Sequence, residues 1–216
     1  FVYQHDSIIL NRIKKPKEFN DFDKLILTNN SVVQLNLISS KNDKKTNSLL
    51  NLINNTSTSM GFRLLRYRLL NPITNVLELN KRYATIENLL MKRADGKPNY
   101  VNYDKYLNKI VDLERLHRKM YLKRLTPSDF YSMDLGYKSA LGINEQLEKD
   151  RINLILEKGE SDELRRFVAD YSSKFNIDEL HKFYRMDVGD KTYFKSGIND
   201  ELDETVASIN ALYDEI

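Results

Sequence analysis

Residues 47–72 read NSLLNLINNTSTSMGFRLLRYRLLNP, and the fold class turns on them. Two apolar pieces at helical spacing, LLNLI and FRLLRYRLL, flank a polar turn whose far side carries Met60 and Gly61. Asn71 and Pro72 then stop the second piece, because proline can neither donate a backbone N–H nor tolerate a helical predecessor. The pattern predicts a pair of helices joined by the turn. No catalytic motif accompanies it, here or elsewhere in the chain, so the stretch points to a scaffold that transmits shape.

Composition extends the helical reading outward. Only seven Gly and four Pro occur in 216 residues, too few turn residues for a many-stranded sheet. Hydrophobic residues make up 41% and charged residues 30%, the balance of a chain that buries one face of each helix. The 34 basic and 31 acidic side chains interleave to a net charge of +3, so no domain-wide positive field exists and any DNA contact must be local. The absence of Cys removes disulfides, thiolate metal sites and a cysteine nucleophile, and fits a reducing, intracellular setting. No apolar run approaches the roughly 20 residues that span a bilayer. The chain opens at Phe1 and stops at Ile216 inside a helical pattern, so a longer parent protein is expected.

On the N-terminal side, SIILNRI, a basic break at Lys14, Lys15, Pro16 and Lys17, and FDKLIL read as a linker. Ser31 and Gln34 have the spacing of a capping box opening a helix through VVQLNLI, and SSKNDKK reads as an exposed loop. On the C-terminal side, Asn75 and Glu78 again have capping-box spacing. Val76, Leu79, Tyr83, Ile86, Leu89 and Leu90 make one stripe on a long helix that ADGKPN ends. Tyr106, Ile110, Leu113, Leu116, Met120 and Leu122 give another stripe between residues 103 and 125. Thr126-Pro127-Ser128-Asp129 supplies an N-cap, a proline at the first helical position and an acid in the first turn. Helical patterns continue over residues 130–158, 161–174 and 177–184; KTYFK, bounded by Gly189 and Gly197, is the strand candidate. Asn199 caps a final acidic helix bearing Leu202, Val206 and Ile209.

Candidate chemistry is sparse. His5, His117 and His181 are too scattered to build a metal site locally, and no phosphate-binding glycine loop is present. In DLER, Asp112 and Arg115 share a helical face and can pair, and Glu114 can reach Arg118. Arg63, Arg66 and Arg68, with Lys81, Arg82, Lys92 and Arg93, make a basic region around Tyr67. A solvated helix face accounts for it without a ligand; DNA-phosphate contact by Arg63 and Arg66 is the functional alternative.

The same residues resemble a known family. NSLLNLINNTSTSMGFRLLRYRLLNP is similar to the most recognisable core block of the MutS mismatch-repair ATPases, with Ser48, Leu49, Leu50, Asn54, Thr56, Thr58, Met60, Gly61, Arg63, Leu64, Leu65, Leu69 and Pro72 at matching positions. TNNSVVQLNL resembles the family's Asn-Leu-Glu-Leu segment, with Ser31 and Leu35 kept and Gln34 and Asn36 in place of Asn and Glu. Arg82 and Ile86 fit the next helix, IVDLERLHRKM the DLERL helix, and TPSDF the Pro-Arg-Asp-Leu turn with Ser128 replacing Arg. FKSGINDELDE is similar to the segment where the lever runs towards the DNA clamp, with Ile198 for Tyr. Arg68 stands where the family usually has Trp.

The resemblance implies an all-α core and lever fold with at most one or two short strands near residues 191–196. It further implies a linker or the end of a connector domain over residues 1–26, the helical body over 27–185, and the start of the lever-to-clamp segment over 186–216. Met60, Gly61, Arg63, Asp112 and Arg115 would form its structural hub. No catalytic, cofactor or metal residue is expected in the segment itself. The longer protein is expected to bind DNA and to use ATP and Mg, to act as a dimer and to have no membrane part. A free-standing helical module for protein interaction or DNA binding, derived from the same core, stands as the alternative.

Overall fold

The computed structural model describes residues 15, 24–39, 48–152, 154, 158–180 and 192–214. Among them the chain is all-α, with ten helices and no strand: α1 Asn29–Gln34, α2 Leu49–Ile53, α3 Ser59–Leu70, α4 Val76–Leu90, α5 Tyr100–Leu107, α6 Leu113–Tyr121, α7 Pro127–Asp150, α8 Lys158–Lys174, α9 Ile177–Leu180 and α10 Asp200–Asp214. SIILNRI, the Pro16 break, most of SSKNDKK, His5, His181 and Gly189 lie outside the described residues.

The spine is α7. Its start follows the sequence: Thr126 Oγ1 accepts the Asp129 N–H at 3.1 Å, and the Asp129 carboxylate accepts the Thr126 N–H at 3.2 Å. The two side chains thereby satisfy N–H groups that a helix start leaves open. Its end comes where Arg151 turns left-handed at φ 53°. Between them the helix runs about 36 Å. It packs against α5, α6, α8 and α9. Nine of its 24 residues are buried, more than a single-striped surface helix reaches.

Two apolar clusters sit on this spine. One gathers Leu116, Met133, Tyr137, Tyr171, Ile177 and Leu180, with Phe130 and Phe175 against it. The other gathers Tyr103, Leu147 and Ile152. Met133, fully buried, contributes about 1.5–3 kcal/mol by leaving water.

Several local expectations are corrected. Thr28 caps α1 through the Ser31 N–H, so Ser31 lies inside that helix and does not open one. With α1 ending at Gln34 and Asn36 left-handed at φ 47°, VVQLNLI is a helix end. The stripe between residues 103 and 125 divides into α5 and α6, because Asp112 turns its side chain to cap a new helix at the Arg115 N–H. KTYFK contributes one antiparallel bridge, Phe194 with Phe175. The α4 stripe faces mostly outward, with Tyr83 57%, Ile86 50% and Leu90 56% exposed; neither α3 nor α4 holds a buried residue.

Candidate functional site

The turn between α2 and α3 is built from side-chain hydrogen bonds. Ser48, wholly buried, caps α2 by accepting the Asn51 N–H and takes a hydrogen bond from Ser39 Oγ at 3.1 Å. Asn54 Oδ1 accepts from the Thr56 N–H and from Thr56 Oγ1, an Asx turn that reverses the chain. Thr58 then caps α3 by accepting the Gly61 N–H at 2.9 Å. The second helix therefore starts at Ser59, earlier than the apolar run suggests, and Met60 and Gly61 lie in its first turn. A Cβ on Gly61 would stand 2.9 Å from Thr58 Oγ1 and 3.7 Å from Thr56 Cβ. What approaches Gly61 is thus the helix's own cap and the turn before it.

From α3, Arg63 reaches across to the start of α6. Its two terminal nitrogens donate to the two Asp112 carboxylate oxygens, both at 2.8 Å, and one also donates to Glu114 at 2.5 Å. This two-pronged fit is specific to arginine's planar fork. Asp112 does double duty, since the same carboxylate accepts the Arg115 N–H and caps α6. The Arg63 hydrogen bond holds the Asp112 carboxyl below the usual carboxylate range, and the two acids raise Arg63 in turn. The sequence pairings Asp112 with Arg115 and Glu114 with Arg118 give way to this arrangement: Arg63 claims both acids, and Arg115 meets Asp112 through its backbone N–H.

Beyond Asp112, α6 seats on the spine at a glycine. A Cβ on Gly136 would meet Leu113 Cδ2 at 2.9 Å, and one on Gly142 would meet the Tyr106 ring at 2.6 Å. These two glycines, six residues apart on α7, are notches that receive α6 and α5. Lys119 adds an ion pair to Asp129 at 2.9 Å. Burial opposes the charge on Asp129, yet Lys119 and Thr126 outweigh it and hold the carboxyl below its ordinary range. Tyr103 of α5 donates to Asp150 at 2.6 Å, and burial together with that acid pushes its hydroxyl well up.

On the far side of α7, buried Asp134 accepts from Tyr171 of α8 at 2.7 Å and pairs with Lys138 at 2.9 Å. Burial and then Asp134 raise the Tyr171 hydroxyl strongly. Phe130, Phe167, Tyr171 and Phe175 continue in tilted and edge-on ring contacts at 5.2–5.3 Å between centroids. The α8 end then grips the approach to α10. Asn176 donates to the Tyr193 carbonyl, Lys195 to that of Lys174, and Lys195 Nζ to that of Ser172. Gly197, at φ 85°, donates to Asp203 at 2.6 Å, while Asn199 caps α10 through the Leu202 N–H.

Of the sequence candidates, Arg63 and Asp112 meet directly; Arg115 is exposed at the α6 start; Met60 is half-buried and touches neither acid in a polar contact. Arg66 is exposed on α3. Gly136, Gly142, Asp134 and Tyr171 went unread, although two glycines inside a strong helical pattern were the available signal. Among the described residues no group of three His, Cys, Asp or Glu could hold a metal ion, and no helix is long and apolar enough to cross a membrane.

Comparison with known proteins agrees with the geometry. The family model described as MutS domain III matches residues 30–212. The chain is 29% identical, over 97% of its length, to the putative DNA mismatch repair protein mutS homolog L359 of Acanthamoeba polyphaga mimivirus, of which it covers 19%. It is 31% identical, over 83% of its length, to the mitochondrial DNA mismatch repair protein mutS homolog of Sarcophyton glaucum, covering 18% of it. To DNA mismatch repair protein MutS of Caldanaerobacter subterraneus it is 32% identical over 68% of its length, covering 17%. The chain thus spans about a fifth of the length of these curated relatives. With an all-helical body and a domain III match over most of its residues, the chain belongs to the MutS family.

Proposed function

We propose that this chain is the core and lever body of a MutS-type mismatch-repair protein, a non-catalytic segment that couples an ATPase elsewhere in the protein to closure on DNA. The observation that supports it most is the unbroken series of specific contacts from Arg63 on α3, through Asp112 and Leu113, across α7 to Asp134 and Tyr171, and on to the 193–195 grip beneath α10. Rigid elements joined in this way carry a displacement at one end to the other. Residues 27–185 form the body in this reading, and residues 186–216 begin the segment that runs towards the clamp. ATP, Mg and dimer contacts belong to other parts of the whole protein, and DNA is its partner, as the names of its relatives suggest.

The purified chain should hydrolyse no ATP and bind duplex DNA only weakly and in a salt-sensitive way. Measurable ATP turnover by the chain alone would overturn this division of labour. A second reading, a free-standing helical interaction module, draws on the exposed apolar side chains of α3 and α4, such as Leu64, Tyr67 and Ile86. The gene separates the two: an ATPase with Walker motifs reading in frame after Ile216 supports the lever, and a stop codon there supports the module.

A further inference from the structure

Among the described residues the densest positive charge is not in the Arg63 to Arg93 region. Residues 115–124, RLHRKMYLKR, hold five Lys and Arg with no acid among them, and the next acid is Asp129. In the fold these residues are α6 and the turn that ends it. Leu113 and Leu116 face α7, whereas Arg115 and Arg118, three residues apart, lie exposed on the outward side. Lys123, left-handed at φ 56°, and Arg124, whose N–H bonds the Lys119 carbonyl, extend the exposed basic surface past the helix end.

The neighbouring acids are already engaged. Arg63 holds Asp112 and Glu114, and Lys119 holds Asp129. No ion pair engages Arg115, Arg118, Lys123 or Arg124 among the described residues. Cations at a helix C-terminus are favoured by the helix dipole, which explains Lys123 and Arg124 without a ligand. It does not explain Arg115, which sits in the first turn, where the dipole disfavours positive charge. Arg115 is drawn there to the N-cap carboxylate of Asp112, but Arg63 already engages both of that carboxylate's oxygens, and the Arg115 side chain stays exposed.

We infer that Arg115, Arg118, Lys123 and Arg124 form a contact surface for the phosphate backbone of duplex DNA, read by charge and not by base sequence. The surface fits that ligand in scale as well as sign. The nine-residue helix extends about 14 Å, and a DNA strand presents a phosphate about every 3.4 Å along its axis, so several phosphates lie within reach at once. Arg63 has an indirect part: its one positive charge offsets half of the negative charge of Asp112 and Glu114 beside the surface. The inference draws its choice of polyanion from the mismatch-repair reading above, but it can fail while that reading stands.

The test is binding of the full chain to a short fluorescent DNA duplex across a series of KCl concentrations. The wild type should show a slope of log affinity against log salt of about −3 to −4, one phosphate per cation. R115Q/R118Q should make that slope shallower by about 2 units and lower low-salt affinity at least severalfold, with an unchanged circular dichroism spectrum. R115K/R118K should restore the slope, and K105Q, an exposed cation on α5 outside this surface, should leave it unaltered. If R115Q/R118Q fails to fold, K123Q/R124Q supplies the same readout. An unchanged slope in the folded Gln variants, no duplex binding by wild type at low salt, or binding of polyglutamate as tight as that of DNA would overturn the inference; the last would mark an acidic protein surface as the partner. ATP turnover by the chain would overturn the lever reading without touching the salt slope.

Discussion

Arg63 and Asp112 are 49 residues apart in sequence, and their junction is where single substitutions are most informative. Asp112 has two separable tasks, and two variants divide them. D112N keeps a side-chain oxygen to cap α6 but gives up the charge for Arg63; D112A gives up both. Urea unfolding should rank wild type above D112N above D112A, with about 1 kcal/mol between the last two for the lost cap. Equal stability of the two variants would mean the cap contributes nothing. R63K should not restore wild-type stability, because an ammonium cannot engage both carboxylate oxygens in the plane that the guanidinium uses. Gly61 carries a related expectation: G61V pushes a branched side chain into Thr58 Oγ1, 2.9 Å from where its Cβ must stand, and should lose roughly 1 kcal/mol or more. Acid should expose the same residue-scale electrostatics. Asp112 and Asp129 sit below their ordinary range when folded, so the unfolded chain takes up protons at higher pH than the folded one. Their contribution is present above about pH 3.9, the unfolded aspartate value, and fades as pH falls through the folded values. K119M should flatten the part of that loss due to Asp129.

At the scale of elements, α7 decides how the others sit, and its glycines test this. Gly142 faces the Tyr106 ring, and Gly159, in the first turn of α8, faces nothing within 4 Å. Alanine favours a helix over glycine by up to about 1 kcal/mol, while forcing a methyl into a filled notch costs about 1–3 kcal/mol. G142A should therefore destabilise by about 1 kcal/mol, whereas G159A should be neutral or stabilising; thermal melts of the two distinguish a notch from an ordinary helical glycine. The start of α7 was legible in sequence, since Thr126-Pro127-Ser128-Asp129 encodes its cap within four residues. So was the all-helical class, which needs only periodicity and scarce turn residues. Less legible was which stretch is central. Residues 47–72 have the most distinctive sequence, yet α3 buries no residue, while α7 looks unremarkable because its burial is spread too widely to make a stripe. The pairing of Arg63 with Asp112 and Glu114 could not be read at all: nearest-neighbour rules assign both acids to arginines three and four residues away, and only the fold brings α3 to α6.

For the whole molecule, the two tyrosines that tie flanking helices to the spine set an alkaline limit. Burial and the nearby acids hold Tyr103 and Tyr171 protonated well above the ordinary tyrosine value. Above about pH 10 the unfolded chain releases protons that the folded chain keeps, so stability should fall as pH rises from there. Y171F should blunt that fall while lowering stability at neutral pH, because buried Asp134 loses its hydroxyl donor. The central claim is that α7 and the helices around it form one rigid body, with α3 and α4 attached at its margin. Native-state amide hydrogen exchange tests it most directly, because it resolves the opening free energy of each helix. The middle of α7, around Met133 to Leu141, should be the most protected part of the chain and should open together with α5, α6 and α8, while α3 and α4 exchange sooner. Protection of α7 at or below that of α3 and α4, or separate opening of α6 and α8 from α7, would contradict the account.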